Sequence, residues 1–411
     1  MSDLARRLAE RVPPAARERI AALPRGRSLA VAGLLVLLLV AILTDGSERP
    51  QPGAAGPAPP APVAAPTAKG GAQGDDPVAD LIAEMPLEQK VAQLFLVGFD
   101  GTDADAEVFS ELREDGFGGL VLTSDNYVDA KQLERLTGDA VAAAKRGDSV
   151  PPWIMAAQEG GEFSAFVDQP PTKAPADVRT PEEAADLALE AGRALERLGV
   201  NGILAPVVDV APLSGGAVGR RAFSDSTAKV VPYAEATVEA YDRAGVFAAA
   251  KHFPGLGGAS QPTEVGPANV GLSVEELEQR DLRPFEAAID AGVPGIVVGH
   301  GLYVTDDFLI PASLSPTVIG DLLREQVGFD GVAITDDLTA GGVTFSVPTS
   351  QAAVDALAAG DDMLMIGDEA ARADAYDAVL SAVEDGDVPM ERVDEALTRV
   401  LEAKDEYGLL D

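Results

Sequence analysis

TPEEAADLALEAGRALERLGVNGILAPVVDV, residues 180–210, contains one complete structural unit. Thr180 with the early Glu182 and Glu183 is a helix start, and Gly199 is a helix stop. The run GILAPVVD (202–209) that follows is almost continuously apolar. A strand wetted on one face would alternate, so this run reads as a parallel strand covered on both faces.

Working outward, the same kind of run recurs as QLFLVGF (93–99), GGLVLT (118–123), WIMAAQ (153–158), FAAAKH (247–252), GIVVGH (295–300), GVAITD (331–336) and DDMLMI (361–366). With 202–209 that makes eight. Most gaps between them hold a helical pattern, such as SVEELEQRDLRPFEAAIDAG (273–292). Strand and helix alternating eight times predict an α/β fold, a (β/α)8 TIM-type barrel over residues 77–411. An open doubly wound sheet is the alternative, though it usually brings fewer strands.

Polar residues gather where these runs finish: Gln158 and Glu159, Asp209, Lys251 and His252, His300, and Asp336 with Asp337. In a barrel the C-terminal strand ends converge on one mouth. Any one of these residues could be a helix cap or a satisfied interior hydrogen-bonder, but five strands doing this together point to a site.

The rest of the chain is organised differently. Residues 1–27 are rich in arginine, residues 28–44 (SLAVAGLLVLLLVAILT) carry no charge, and residues 45–76 are dominated by Ala, Pro and Gly. This reads as a basic cytoplasmic segment, one transmembrane helix or signal anchor, and a linker. The positive-inside bias then puts the barrel on the extracytoplasmic side of the plasma membrane as a single-pass protein. A cleaved secretory signal is the competing reading, but its apolar region is usually shorter. A formal charge of −36 argues against nucleic acid as a partner and against adhesion of the globular part to anionic lipid. With no cysteine there are no disulfides, thiolate metal sites or thiol nucleophiles.

A carboxylate, a lysine and two histidines, without a GxGxxG after the first strand, leave three chemistries and call for no cofactor. Glycoside hydrolysis needs a carboxylate nucleophile, a proton donor and groups that hold the sugar. Schiff-base chemistry would use Lys251 as the nucleophile. Metal hydrolysis would want clustered ligands, whereas the two histidines lie on separate strands, so no metal is expected.

VAQLFLVGFDG (91–101), QEGGEF (158–163), LAPVVDV (204–210), RAF (221–223), KHFPG (251–255), DLRPFEAAIDAGVPGIVVGH (281–300), PASLS (311–315) and GFDGVAITDDL (328–338) occur in this order. Residues 77–411 thereby resemble the β-N-acetylhexosaminidase branch of glycoside hydrolase family 3. The resemblance implies the same barrel, retaining hydrolysis of N-acetylglucosamine-containing glycans, and Asp336 as nucleophile. It implies Arg221, Lys251 and His252 as sugar-binding residues and a structural Asp209; His300 and Glu159, at the same mouth, complete the expected substrate-binding set.

Three departures stand out. Ala157 replaces an Asp that grips sugar hydroxyls, and Ala165 stands where an arginine is usual. After KHFPG, where the family carries an Asp-Ser-His acid/base dyad, this chain reads LGGASQPTEVGP (256–267). The only histidines are His252 and His300, so none remains for that loop. Glu264 falls near the missing histidine's position and could carry the proton if a partly apolar loop raised its pKa; otherwise it is an ordinary surface carboxylate. Two functions follow: a glycosidase with weakened or altered acid/base catalysis, or an inactive glycan-binding or interaction module.

Overall fold

A computed structural model describes residues 77–306 and 308–410. The expected basic segment, transmembrane helix and linker (1–27, 28–44, 45–76) lie outside these residues. Among the described residues no helix is long and apolar enough to cross a membrane.

Eight parallel strands form one sheet: β1 Phe95–Val97, β2 Gly119–Leu122, β3 Trp153–Ala156, β4 Gly202–Ile203, β5 Phe247–Phe253, β6 Gly295–Val298, β7 Val332–Thr335 and β8 Leu364–Ile366. Their order is β8-β1-β2-β3-β4-β5-β6-β7, so neighbours in the chain are neighbours in space. The two ends of the sheet meet through a single parallel bridge, Ile334 with Met363, which makes a nearly closed TIM-like barrel. All eight apolar runs contain a strand, and each strand is buried along its whole length. Helices on the outside account for the burial of the second face.

Two elements differ from their sequence reading. The run 202–209 keeps regular pairing only at Gly202–Ile203, rejoining β5 at a bridge between Val207 and Lys251. Pro206 has no N–H to continue the ladder. The segment 273–292 is not one regular helix. It opens at Val274–Glu276 under a Ser273–Glu276 capping box, widens into a π turn at Leu277–Asp281, and resumes as Leu282–Asp290. Helix Pro181–Glu196 forms as expected, with the Thr180 hydroxyl accepting from the Glu183 N–H. A short parallel pair, Ala268–Asn269 with Gly301–Leu302, sits apart from the barrel sheet.

At the N-terminal strand ends, away from the mouth, the fully buried Asp362 gathers three arginines. Its Oδ2 accepts from Arg324 Nη2 at 2.6 Å and from the Ala333 N–H at 2.9 Å, and its Oδ1 from Arg392 Nη2 at 2.6 Å and Arg399 Nη1 at 3.1 Å. One carboxylate thus ties the helix before β7, β7 itself and the C-terminal helix Met390–Glu406 to the start of β8. Removing it would leave partly buried guanidinium groups facing one another without a counter-charge. Asp362→Ala is expected to lower unfolding stability by about 3–5 kcal/mol, measured by denaturant titration, whereas Glu395→Ala on the exposed rim of the same cluster should change it by under ~1 kcal/mol.

Candidate active site

Strands β3, β5 and β7 and the segment after β4 deliver their polar residues to one place. Glu159, just past β3, is the buried centre: its Oε2 accepts from Arg221 Nε and its Oε1 from Arg221 Nη2, both at 2.7 Å, while Lys251 Nζ lies 2.6 Å from Oε1. Burial alone would push this carboxyl up, but Lys251 and Arg221 overcome that and hold it down at about 2. Arg221 is raised by the same pairing, against its own burial. Both cations are therefore fixed by a residue that is itself only 3% exposed.

Lys251 and His252 lie in β5, whose pairing with β6 shifts register between Lys251 and Phe253. Behind them, fully buried Asp209 clamps the turn. It accepts from His252 Nδ1 at 2.7 Å, from the His252 N–H at 3.3 Å and from the Leu256 N–H at 2.5 Å. The carboxylate fixes Nδ1 as the protonated nitrogen, and Nε2 then faces Arg221 Nη2 at 3.2 Å as an acceptor, since a guanidinium can only donate. The same Nε2 is 4.0 Å from Asp336 Oδ2.

Asp336 stands at the end of β7 with 23% of its side chain in solvent. Its Oδ1 accepts from the Asp337 N–H at 3.0 Å. Burial favours the neutral acid, but the Lys251 charge and that N–H help to hold the group below its ordinary value, as an anion. Arg221, 20% exposed, is the other site group open to solvent. Lys251 and His252, at 6% and 3%, form the floor beneath them.

His300 is placed differently. It is fully buried, with Nε2 donating to the Asp337 carbonyl at 2.8 Å and Nδ1 within 2.7 Å of Ser313 Oγ. It supports the Asp336–Asp337 turn from behind and has no free nitrogen for a ligand. Asp337 secures that turn from the other side, its Oδ1 accepting from the Thr339 N–H, the Thr339 hydroxyl and the Gly367 N–H. Ser313 and Asp337 were not singled out for these roles in the sequence. The Asp-Leu-Thr spacing, with a carboxylate two residues before a hydroxyl, was the available signal for the second; nothing local marks the first.

Glu264 stands apart. Its side chain is 63% exposed, and its Oε1 is 3.8 Å from Arg221 Nη1. It is thus largely in solvent and beside a cation. Its loop is fastened by backbone bonds, Gly342 N–H to the Thr263 carbonyl at 2.7 Å and Gly341 N–H to the Glu264 carbonyl at 3.2 Å. Ala157 and Ala165, the other two departures, are also neighbours: the Ala165 N–H donates to the Ala157 carbonyl at 3.1 Å. The two positions where the resemblance leads one to expect a carboxylate and a guanidinium are thus joined backbone to backbone.

Under the KHFPG turn lies one further acid. A Cβ on Gly255, whose φ is +126°, would come within 2.4 Å of Asp281 Cβ, so only glycine fits there. Asp281 is 1% exposed, and neither of its oxygens has a hydrogen-bond partner. Its burial, only partly offset by Arg280, pushes the carboxyl up to about 7. The folded protein then holds a proton that the unfolded chain releases near pH 4, so stability falls as pH rises from about 4 to about 7. At about 1.4 kcal/mol per pH unit the loss is on the order of 4 kcal/mol. Denaturant titrations at pH 5 and pH 8 should show this decline, and Asp281→Asn should flatten it.

Comparison with known proteins bears on the whole barrel. Residues 86–403 match the Glycosyl hydrolase family 3 N terminal domain. A beta-hexosaminidase of Xanthomonas oryzae pv. oryzae is 35% identical over 268 residues, which are 61% of this chain and 78% of that protein. Among solved structures, a glycoside hydrolase family 3 beta-N-acetylglucosaminidase from Paenibacillus sp. str. FPU-7 superimposes with a TM-score of 0.75 at 30% identity, covering 79% of this chain. This chain spans only 63% of that larger protein. The beta-N-acetylhexosaminidase of Beutenbergia cavernae DSM 12333 gives a TM-score of 0.70 at 29% identity, over 79% of this chain and 99% of its own. The sequence motifs, the barrel and these relatives agree, and the chain belongs to glycosyl hydrolase family 3 through its N-terminal, barrel-forming domain.

Proposed function

We propose that this protein is a retaining β-glycosidase of the β-N-acetylglucosaminidase type, acting on cell-wall or related β-glycosides, with weakened acid/base catalysis. The observation that carries this reading is Asp336, held as an anion in an open mouth beside Arg221, Lys251 and His252. In the reaction a carboxylate oxygen of Asp336 attacks the anomeric carbon, the bond to the leaving oxygen breaks, and that oxygen departs with the electron pair. Water then attacks the covalent glycosyl-enzyme and releases Asp336. Arg221, Lys251 and His252 bind the sugar, and Glu159 keeps the two cations aimed.

The leaving oxygen needs a proton, and among the described residues no group is well placed to give it. Both histidines of the chain are engaged, His252 by Asp209 and Arg221, His300 by Ser313 and Asp337. Glu264 is largely in solvent and faces a cation. A missing general acid reduces the rate typically by 10²- to 10⁴-fold, least for leaving groups that depart readily as anions. Lys251 does not suit a Schiff-base lyase, because an ammonium 2.6 Å from the Glu159 carboxylate offers no lone pair.

The engaged histidines and exposed Glu264 also favour a second reading, an inactive glycan-binding or interaction module that uses the same mouth. Either form would sit outside the plasma membrane, held by the apolar segment 28–44 behind its arginine-rich leader.

Release of nitrophenol from 4-nitrophenyl N-acetyl-β-glucosaminide distinguishes the two. Asp336→Ala should reduce it at least ~10³-fold, whereas Glu264→Gln should stay within about threefold of the native rate on this activated substrate. Equal rates for the native protein and Asp336→Ala would end the glycosidase reading and leave the binding module.

A further inference from the structure

Large apolar side chains exposed on this otherwise acidic molecule collect around the mouth. Val128, Val167, Leu213, Val265, Leu309 and Phe345 follow β2, β3, β4, β5, β6 and β7 in turn, each in the segment leaving the C-terminal end of its strand. Single exposed apolar residues are ordinary, but at least one after each of six successive strands is a pattern, with Val274 also following β5 and Val304 and Ile310 also following β6.

Two of them belong to a built structure. Val265, 75% exposed, follows Glu264, and Phe345, 79% exposed, caps the short helix Gly341–Thr344 beyond Asp336. The two segments are joined backbone to backbone through the Thr263–Gly342 and Glu264–Gly341 bonds. A Cβ at Gly341 would lie 2.7 Å from the Val265 carbonyl oxygen, and one at Gly342 would lie 2.9 Å from that of Thr263, so this approach requires both glycines. Thr263 turns inward at 1% exposure, Glu264 turns to Arg221, and Val265 is left facing solvent. The result is a fixed ledge at the mouth. A chain of contacts links it to the nucleophile, from Glu264 to Arg221, to His252 and to Asp336.

The leaving group departs from the face of the anomeric carbon opposite the attacking carboxylate. The ledge adjoins the mouth through Glu264, whose carboxylate approaches Arg221. We propose that these two residues form an aglycone subsite selecting β-glycosides with a flat apolar, aryl aglycone. This rests on the glycosidase reading above and narrows it to a substrate class. An aryl oxygen leaves as a stabilised phenolate, the departure that suffers least from the missing proton donor. Ledge and catalytic deficit thus point to the same substrate.

The test uses the full chain and two non-hydrolysable ligands with the same sugar, methyl and 2-naphthyl 1-thio-N-acetyl-β-glucosaminide, in calorimetric titrations. The native protein should bind the naphthyl ligand at least about tenfold more tightly. In V265S/F345A that preference should fall below about threefold while the methyl ligand's affinity is kept. Both side chains are more than two thirds exposed, so the double variant leaves the core intact. An unchanged preference in the variant, or none in the native protein while the methyl ligand still binds, overturns the aglycone subsite and leaves the sugar site standing. If neither ligand binds the native protein, both are overturned.

Discussion

One buried carboxylate organises the mouth of this barrel. Glu159 leaves β3, yet its two oxygens hold Arg221 from the segment after β4 and Lys251 from β5. Without it, two cations would share a small, poorly solvated volume, and mutual repulsion would drive them apart. With it, they become fixed donors aimed at whatever enters above Asp336. Asp209 does the equivalent for His252, and His300 with Asp337 does it for the turn that presents Asp336. Glu159, Asp209 and His300 are thus supports for the residues that open to solvent above them.

The opposite end of the barrel follows the same rule toward a different end. Asp362 and its three arginines fasten strand starts and outer helices, where nothing opens to solvent. A buried ion network at the N-terminal strand ends serves stability, whereas one at the C-terminal ends can also serve chemistry, because there the strands feed into open loops.

The departures from the family are local and structurally coherent. The Ala165 N–H bonds the Ala157 carbonyl, so these two positions are neighbours in space. The loop after β5 has its backbone fastened to the loop after β7, and its side chains divide between the interior, Arg221 and solvent.

The barrel was legible in the sequence because burial on both faces imposes a signal that each strand carries by itself, an unbroken apolar run such as GIVV before His300 or VAIT before Asp336. Polar residues closing those runs marked the mouth for the same reason: the pattern is local. Partnerships were not legible. That Glu159 pairs with both Lys251 and Arg221, that His300 turns away to Ser313 instead of facing the mouth, that Glu264 stands in solvent, and that Val265 and Phe345 share a ledge all depend on loops meeting across the barrel. Such contacts arise from chain closure and from backbone approaches allowed by Gly255, Gly341 and Gly342, and no short window of sequence encodes them. The sequence by itself determined which residues reach the mouth; the tertiary structure decided which of them face one another, because facing is set by distances between segments far apart in the chain.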